Sequence, residues 1–429
     1  MSASHVKYLI VGSGLAGASA AQAIRALDPR GEVLMVGQEK IRPYHRPPLS
    51  KNYLRNRRER RELFALPIEW FTENNVRLRT SIRASHLDTG RRIVTLESGE
   101  EISFDTLLLA TGMTARHLDI PGRDFPNVYY LRTLDDADRL HHAIDKARGE
   151  GMRHQHEVGG RGRVAVIGGG VLGVELAASL TQIGLAVDLL LGKAHPWDRF
   201  AGDHTGAFLA RLLETHGVTV HTRARPQRLE GDGRVQRVVI DDERTVGCDF
   251  VIAAVGATLN RELLRGTPIT AEKAIVVDDH CRTNVEGIYA AGDCAAVFDP
   301  LFGKHRVLDH WDNAQVTGAI AGTNMAGDDR AYDAVNYFFS DVFDLSLQTW
   351  GEPRQVDRRL IRGSTTLDAP DFIEIGIAAD GRIAQILAIN HSGEDDLLRT
   401  LIRQRVRVDG NEEALKDPSF PLASLLESH

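Results

Sequence analysis

A strand, glycine turn, helix and strand occur in succession twice in this chain, and the repeat commits most of the sequence to parallel sheet wound by helices. Residues 6–11 (VKYLIV) form a buried-strand run that enters GSGLAG at 12–17 and then an alanine-rich helical stretch. Residues 164–167 (VAVI) enter GGGVLG at 168–173, followed by a second helical stretch to about Gln182. Each copy continues into another apolar strand, over 32–36 and 186–191. Strand, crossover helix and parallel strand is the unit of a doubly wound α/β layer. The glycines divide the work of such a turn. The first permits the tight bend, the second lets backbone N–H groups approach a pyrophosphate, and the third lets helix and strand pack closely. Gly12, Gly14 and Gly17, and again Gly168, Gly170 and Gly173, stand in those places. Glu39 lies 22 residues beyond Gly17, near the spacing expected of an acid that accepts ribose hydroxyls.

Length and charge bound the rest. A chain of 429 residues suggests about three domains. A net charge of −7 gives no bias toward nucleic acid or anionic membrane. No apolar run reaches the ~18–20 residues of a membrane span. The first strand begins at Val6, so no signal peptide is expected ahead of it. Cys248, Cys281 and Cys294 include no Cys-x-x-Cys, which excludes a disulfide framework and a cysteine-ligated cluster and points to a reducing cytoplasm. No metal site is expected, and a homodimer stays open.

A third motif completes the pattern. Thr283, then Ile288-Tyr289-Ala290-Ala291-Gly292-Asp293, resembles the pyridine-nucleotide:FAD oxidoreductases, in which that aspartate bonds the ribityl chain of FAD. Ala110-Thr111-Gly112 resembles the segment leaving their FAD domain, and Val255-Gly256-Ala257 the return from their nicotinamide domain. The segment PYHRPPLSK at 43–51 narrows the resemblance to the ferredoxin-, rubredoxin- and putidaredoxin-reductase branch, with apoptosis-inducing factor as a cousin. DHWDNA at 309–314 and FSDVFD at 339–344 are similar to that branch too.

The resemblance implies one FAD, NADH or NADPH as donor, and an iron–sulfur protein such as a ferredoxin as acceptor. Arg46 and Lys51 join the FAD set. Lys51 and Glu175 are the implied pair near the flavin N5, an interdomain salt bridge being the plainer alternative. Trp311 matches an aromatic that covers the flavin–nicotinamide stack, with a core tryptophan as the alternative. The disulfide and peroxide reductases of the superfamily use cysteines near the flavin; residues 43–51 contain none, so electrons are expected to leave the flavin directly. The rival function is a redox-sensing interaction protein with slow NAD(P)H oxidation.

The expected architecture is two interleaved doubly wound nucleotide domains plus a C-terminal α+β domain. Residues 1–114 and 253–330 are assigned to the FAD domain, 115–252 to the NAD(P) domain and 331–429 to the last. A helical arm is expected to carry Arg399, Arg403, Arg405 and Arg407, and residues 149–162 read as a solvated loop. One departure stands out. Counting 18 residues from Gly173 reaches Leu191 where an NADH-binding turn ends its strand on an acid. Lys193, His195 and Arg199 nearby could favour the 2′-phosphate of NADPH, whereas Gly173 keeps the glycine of NAD-type turns. NADH and NADPH both stay open, with NADPH, or weak binding of either, the reading that Leu191 favours. Arg55, Arg57, Arg58, Arg60 and Arg61 form a basic stretch that reads as a solvated helix face with Glu59 and Glu62, or as a docking surface. His154-x-His156 reads as loop.

Overall fold

The first apolar run becomes the middle of a parallel sheet. In the computed structural model, which describes residues 4–153, 162–408 and 410–427, strand Ser4–Val11 pairs in parallel with Val33–Val36 and with Glu101–Leu109. Its residues Tyr8 to Val11 are buried, as expected of a strand covered on both faces. Val76–Arg79 extends the sheet beyond Val33–Val36, and Ile288–Ala290 returns from far along the chain to pair with Glu101–Leu109. Helix Leu15–Leu27 is built from alanines and packs against helix Trp311–Met325. The approach is close because glycines face backbone: a Cβ on Gly318 would lie 2.3 Å from the Ala16 carbonyl oxygen, and one on Gly322 2.3 Å from that of Ala20.

These elements make up one compact unit, formed by the described residues of Met1–His45, Arg60–Thr114 and Ala257–Asn336. The other unit comprises Arg46–Glu59, Ala115–Gly256 and the described residues from Tyr337 onward. Its parallel sheet places Arg163–Ile167 between Ala186–Leu190 and Phe250–Ala253, with Val218–His221 beyond Ala186–Leu190. A second, antiparallel sheet of five strands spans Tyr337–Val342 to Ile383–Ile389. All seven residues of Ile383–Ile389 are buried, because this strand is central and covered on both faces.

Polar bonds tie the two sheets into one body. Glu374, 1% exposed, accepts from the Gly202 N–H (2.9 Å) and the Thr205 hydroxyl (2.5 Å) at the start of helix Asp203–Thr215, and from Arg359 (2.5 Å). A carboxylate there meets unsatisfied amide donors and the positive end of the helix dipole. Gln385 donates to the Phe200 carbonyl at 2.9 Å. The segment Arg46–Glu59 is anchored in the same unit, with the Tyr53 hydroxyl donating to Asp138 at 2.5 Å and the Ser179 hydroxyl to the Ser50 carbonyl at 2.7 Å.

Three local expectations are corrected. Helix Leu134–Arg153 runs through Gly149 and Gly151, so residues 149–153 are helix where a loop was expected; the rest of that expected loop up to residue 161, with His154 and His156, lies outside the described residues. The helix wins because Leu140, Ala143, Ile144 and Ala147 form a buried stripe, and Thr133 and Asp136 cap its start reciprocally (2.8 and 3.2 Å). The C-terminal arm is not one helix. Asp395–Arg403 ends there, Arg405 takes φ +50°, and Arg407 bridges back to Arg382. The basic stretch is a series of turns with one 3-10 turn at Arg60–Leu63, not a helix face.

Candidate dinucleotide sites

The two glycine turns make corresponding backbone contacts. The Gly12 N–H donates to the Val36 carbonyl and the Gly168 N–H to that of Leu190, both at 2.8 Å. Both first glycines need a left-handed backbone, at φ +122° and +126°, and a Cβ would strike backbone: 2.0 Å from the Ala110 oxygen, 2.2 Å from the Ala254 oxygen. The third glycines are confined too, a Cβ at Gly17 falling 2.2 Å from the Gly12 oxygen and one at Gly173 falling 1.8 Å from the Gly168 oxygen. The second glycines differ from both. Beside Gly14 and Gly170 nothing lies within 4 Å of a Cβ. Each begins a helix, Leu15–Leu27 or Val171–Ile183, and neither start is capped by a side chain. An open backbone at an uncapped, electropositive helix end fits a pyrophosphate.

In the first unit the other expected residues gather at the same sheet edge. Val11, Val36, Leu109 and Ala290 are the C-terminal residues of four neighbouring parallel strands. Open α/β sheets take their ligands at this edge. Thr111 and Gly112 follow Leu109, Gly112 at φ +63°. Gly292, at φ +74°, donates its N–H to the Thr317 hydroxyl (2.9 Å) and starts the 3-10 turn that carries half-buried Asp293. Glu39 follows Val36 and accepts from the Tyr44 hydroxyl at 2.6 Å. Trp311 opens its helix and donates from Nε1 to His45 Nδ1 at 2.9 Å. Tyr44 and His45, which the sequence reading passed over, thus orient two of the expected residues. The motif at 43–51 contained both, but spacing alone could not pair them.

In the second unit Lys51 and Glu175 meet. Lys51 Nζ lies 3.2 Å from Glu175 Oε1 and 3.5 Å from Asp341 Oδ2, with side chains 6% and 8% exposed for the first pair. Both approaches are in ion-pair range, yet neither is aligned as a hydrogen bond, so the ammonium keeps unfilled donor positions. Phe339 offers its ring 4.9 Å from the same nitrogen. Glu175 is better satisfied: the Ser340 hydroxyl donates at 2.7 Å to one oxygen and the Ser50 hydroxyl to the other. Ser50, Ser340 and Asp341 were not singled out as site residues, though each lies in a motif that was. Arg46 turns its guanidinium to the Arg132 carbonyl.

Around the second turn, Gly256 takes φ +100° with open space beside it. Lys193 is exposed and pairs with Asp198 at 3.4 Å. His195 turns inward, only 9% exposed, with Nδ1 2.9 Å from the Pro196 carbonyl oxygen, and Arg199 lies over the Phe200 ring. Arg55 is drawn in toward Gln182 and Asn52, beside a cavity of about 130 Å³. The three thiols are buried, and burial raises each above the ordinary thiol range, Cys248 to about 12. Among the described residues Asp278, Asp279 and His280 group as metal-ligand types, but Asp278 accepts from the His280 and Arg282 N–H groups, both within 2.9 Å. No helix among the described residues is long and apolar enough to cross a membrane.

Residues 6–318 match the family described as pyridine nucleotide-disulphide oxidoreductase, and residues 337–426 the reductase C-terminal domain. The chain is 30% identical over 419 residues to the ferredoxin–NAD(+) reductase component of the anthranilate 1,2-dioxygenase system of Burkholderia cepacia, covering 98% of this chain and 99% of that one. Among solved structures, the ferredoxin reductase for the CYP199A2 system from Rhodopseudomonas palustris superposes with a TM-score of 0.88 at 29% identity, over 97% of this chain and 99% of that chain. Putidaredoxin reductase in its covalent complex with putidaredoxin gives 0.88 at 28%, over 99% and 98%.

Proposed function

The chain belongs to the pyridine nucleotide-disulphide oxidoreductase family, and from that footing we propose that it is an NAD(P)H-dependent FAD reductase that supplies electrons to a small iron–sulfur protein such as a ferredoxin. The observation that carries this reading is the pair of matching glycine turns, each with an open second glycine at an uncapped helix start. Two dinucleotides in one chain fit a donor and a resident flavin. The flavin supplies chemistry that side chains lack, accepting a hydride and releasing electrons one at a time.

The residues divide accordingly. Gly12, Gly14 and Gly17 cradle the FAD pyrophosphate, Glu39 holds its ribose, and Asp293, with Thr111, Gly112 and Gly292, holds the ribityl end; Arg46 and Trp311 complete the set. Gly168, Gly170, Gly173 and Gly256 receive the nicotinamide dinucleotide. Lys51 and Glu175 serve the hydride step, Lys51 with donor positions still open. The acceptor class rests on the relatives, which are named for ferredoxin and putidaredoxin partners. Buried, protonated thiols suit a reducing cytoplasm.

Anaerobic stopped-flow mixing tests the whole reading. NADH or NADPH should bleach the flavin band of the holoprotein, and an oxidised [2Fe–2S] ferredoxin should restore it. A flavin that is reduced promptly but returns no electrons to any one-electron acceptor would sink the reductase assignment. Electron exit has its own test. Replacing Cys248, Cys281 and Cys294 together by alanine should leave flavin reduction and acceptor turnover within about two-fold, since protonated, buried thiols are poor relays. Loss of turnover in a folded, flavin-loaded triple variant would show that a thiol carries the electrons.

A further inference from the structure

We infer that the second dinucleotide site selects NADPH over NADH, with Arg225 as the side chain that meets the adenosine 2′-phosphate. The inference rests on the reading above, that the turn at Gly168–Gly173 holds the nicotinamide dinucleotide.

Two loops meet beyond the C-terminal ends of neighbouring parallel strands. Ala186–Leu190 runs into Leu191-Gly192-Lys193, and Val218–His221 runs into Thr222–Arg225. Backbone bonds fasten the loops together: the Leu191 N–H to the His221 carbonyl (3.0 Å), the Ala224 N–H to that of Leu191 (2.9 Å) and the Arg223 N–H to that of Lys193 (2.9 Å). Positions just past the second strand decide how an adenosine ribose is recognised, an acid taking the 2′-hydroxyl and a cation the 2′-phosphate.

The acid is missing. Leu191 cannot accept a hydrogen bond, and it is folded down, 2% exposed, against the glycine turn. A Cβ added to Gly169 would lie 2.8 Å from Leu191 Cβ and 3.2 Å from its Cδ1. The described carboxylates nearby are already engaged. Asp188, 5% exposed, holds His221 at 2.8 Å, and Asp198 pairs with Lys193 at 3.4 Å. Asp241 accepts from the Arg225 backbone N–H (3.2 Å) and from Gln227 Nε2 (2.7 Å).

The cation is present, from the adjoining loop. Arg225 lays its side chain over Gly192, where an added Cβ would meet Arg225 Cγ at 3.2 Å and Nε at 3.6 Å. The glycine makes room for the arginine stem, directly after the position where the acid is absent. Arg225 is exposed, and among the described residues its guanidinium has no hydrogen bond or ion pair. Arg223, exposed at φ +51°, is the next cation on the same loop. A guanidinium fork matches phosphate oxygens in pairs, whereas a ribose hydroxyl offers it one weak acceptor.

Equilibrium titration of the oxidised holoprotein reads this directly, using NADP⁺ against NAD⁺ and 2′,5′-ADP against 5′-AMP, each pair differing by the 2′-phosphate alone. Wild-type protein should hold the phosphorylated member tighter by about ten- to hundred-fold, the value of a well-made charged hydrogen bond. Arg225→Ala should remove most of that ratio while NAD⁺ affinity changes less than about two-fold, and Arg225→Lys should keep part of it. Leu191→Glu should shift the ratio toward NAD⁺ by restoring an acceptor and repelling phosphate. Equal affinity for both dinucleotides in wild type, or an equal loss of both in Arg225→Ala, overturns the inference while leaving the dinucleotide site in place. Failure of all four probes to bind overturns the assignment of the turn itself.

Discussion

Gly14→Val is expected to give a folded but colourless protein, whereas Gly12→Ala is expected not to fold. The two positions lie two residues apart in one turn, and their surroundings are opposite. Gly12 sits at φ +122°, which costs an L-residue roughly 1–2 kcal/mol by itself. Its added Cβ would also stand 2.0 Å from the Ala110 carbonyl oxygen, and that atom belongs to a peptide between the sheet strand and the Thr111-Gly112 turn. Neither partner is a flexible side-chain end, so relief requires parting the strands. Gly14, at φ −90° and ψ −168°, has an ordinary extended backbone and nothing within 4 Å of a Cβ. Valine fits the chain there but fills the space through which a pyrophosphate would reach the helix N-terminus. The absorbance ratio of flavin band to protein band, with a circular dichroism melt, checks both variants. Gly170→Val supplies the control, since it should keep its FAD and lose nicotinamide binding. Full flavin content in folded Gly14→Val would mean that this turn does not cradle the FAD pyrophosphate.

That contrast also marks what a sequence can disclose. The separate duties of Gly12, Gly14 and Gly17 follow from local backbone geometry, which a short motif encodes almost completely, and the second copy repeats them. The first strand was legible for a similar reason: a strand buried on both faces is apolar throughout, as at Tyr8 to Val11. Helix limits were less so. Gly149 and Gly151 read as loop, but a buried stripe and a reciprocal cap outweigh two poor helix formers.

Contacts between distant segments were the least legible. Nothing in the spacing joins Arg225 to Gly192, because their meeting depends on how two strands are placed side by side. The same holds for Ser50 and Ser340, which are 290 residues apart and end on one carboxylate. Lys193, His195 and Arg199 were the cations nearest Leu191 in sequence. In the fold Lys193 pairs with Asp198, His195 turns inward and Arg199 lies over Phe200. Arg225, whose guanidinium has no hydrogen bond or ion pair among the described residues, comes from the loop after the neighbouring strand.

Lys51→Ala should destabilise this second unit strongly. Lys51 and Glu175 are 6% and 8% exposed, so removing the ammonium strands a buried carboxylate. Breaking a buried pair from one side costs ~3–5 kcal/mol. At ~2–4 °C per kcal/mol for a body of this size, the midpoint of thermal unfolding should fall by roughly 10 °C. The Ser50 and Ser340 hydroxyls still donate to Glu175 and hold the loss toward the lower end. Rate and stability are then separated by a second variant, Lys51→Met with Glu175→Gln. Here no charge is stranded, methionine fills most of the lysine stem volume beside Phe339, and the amide can still bond both serines. Most of the lost stability should return, because a buried pair is worth little over a well-packed neutral replacement. Flavin reduction by saturating nicotinamide should not return with it, since a neutral pair offers neither the ammonium donors nor the carboxylate. If the double variant regains stability and also reduces its flavin at the wild-type rate, Lys51 and Glu175 are a structural pair and the hydride step is served elsewhere.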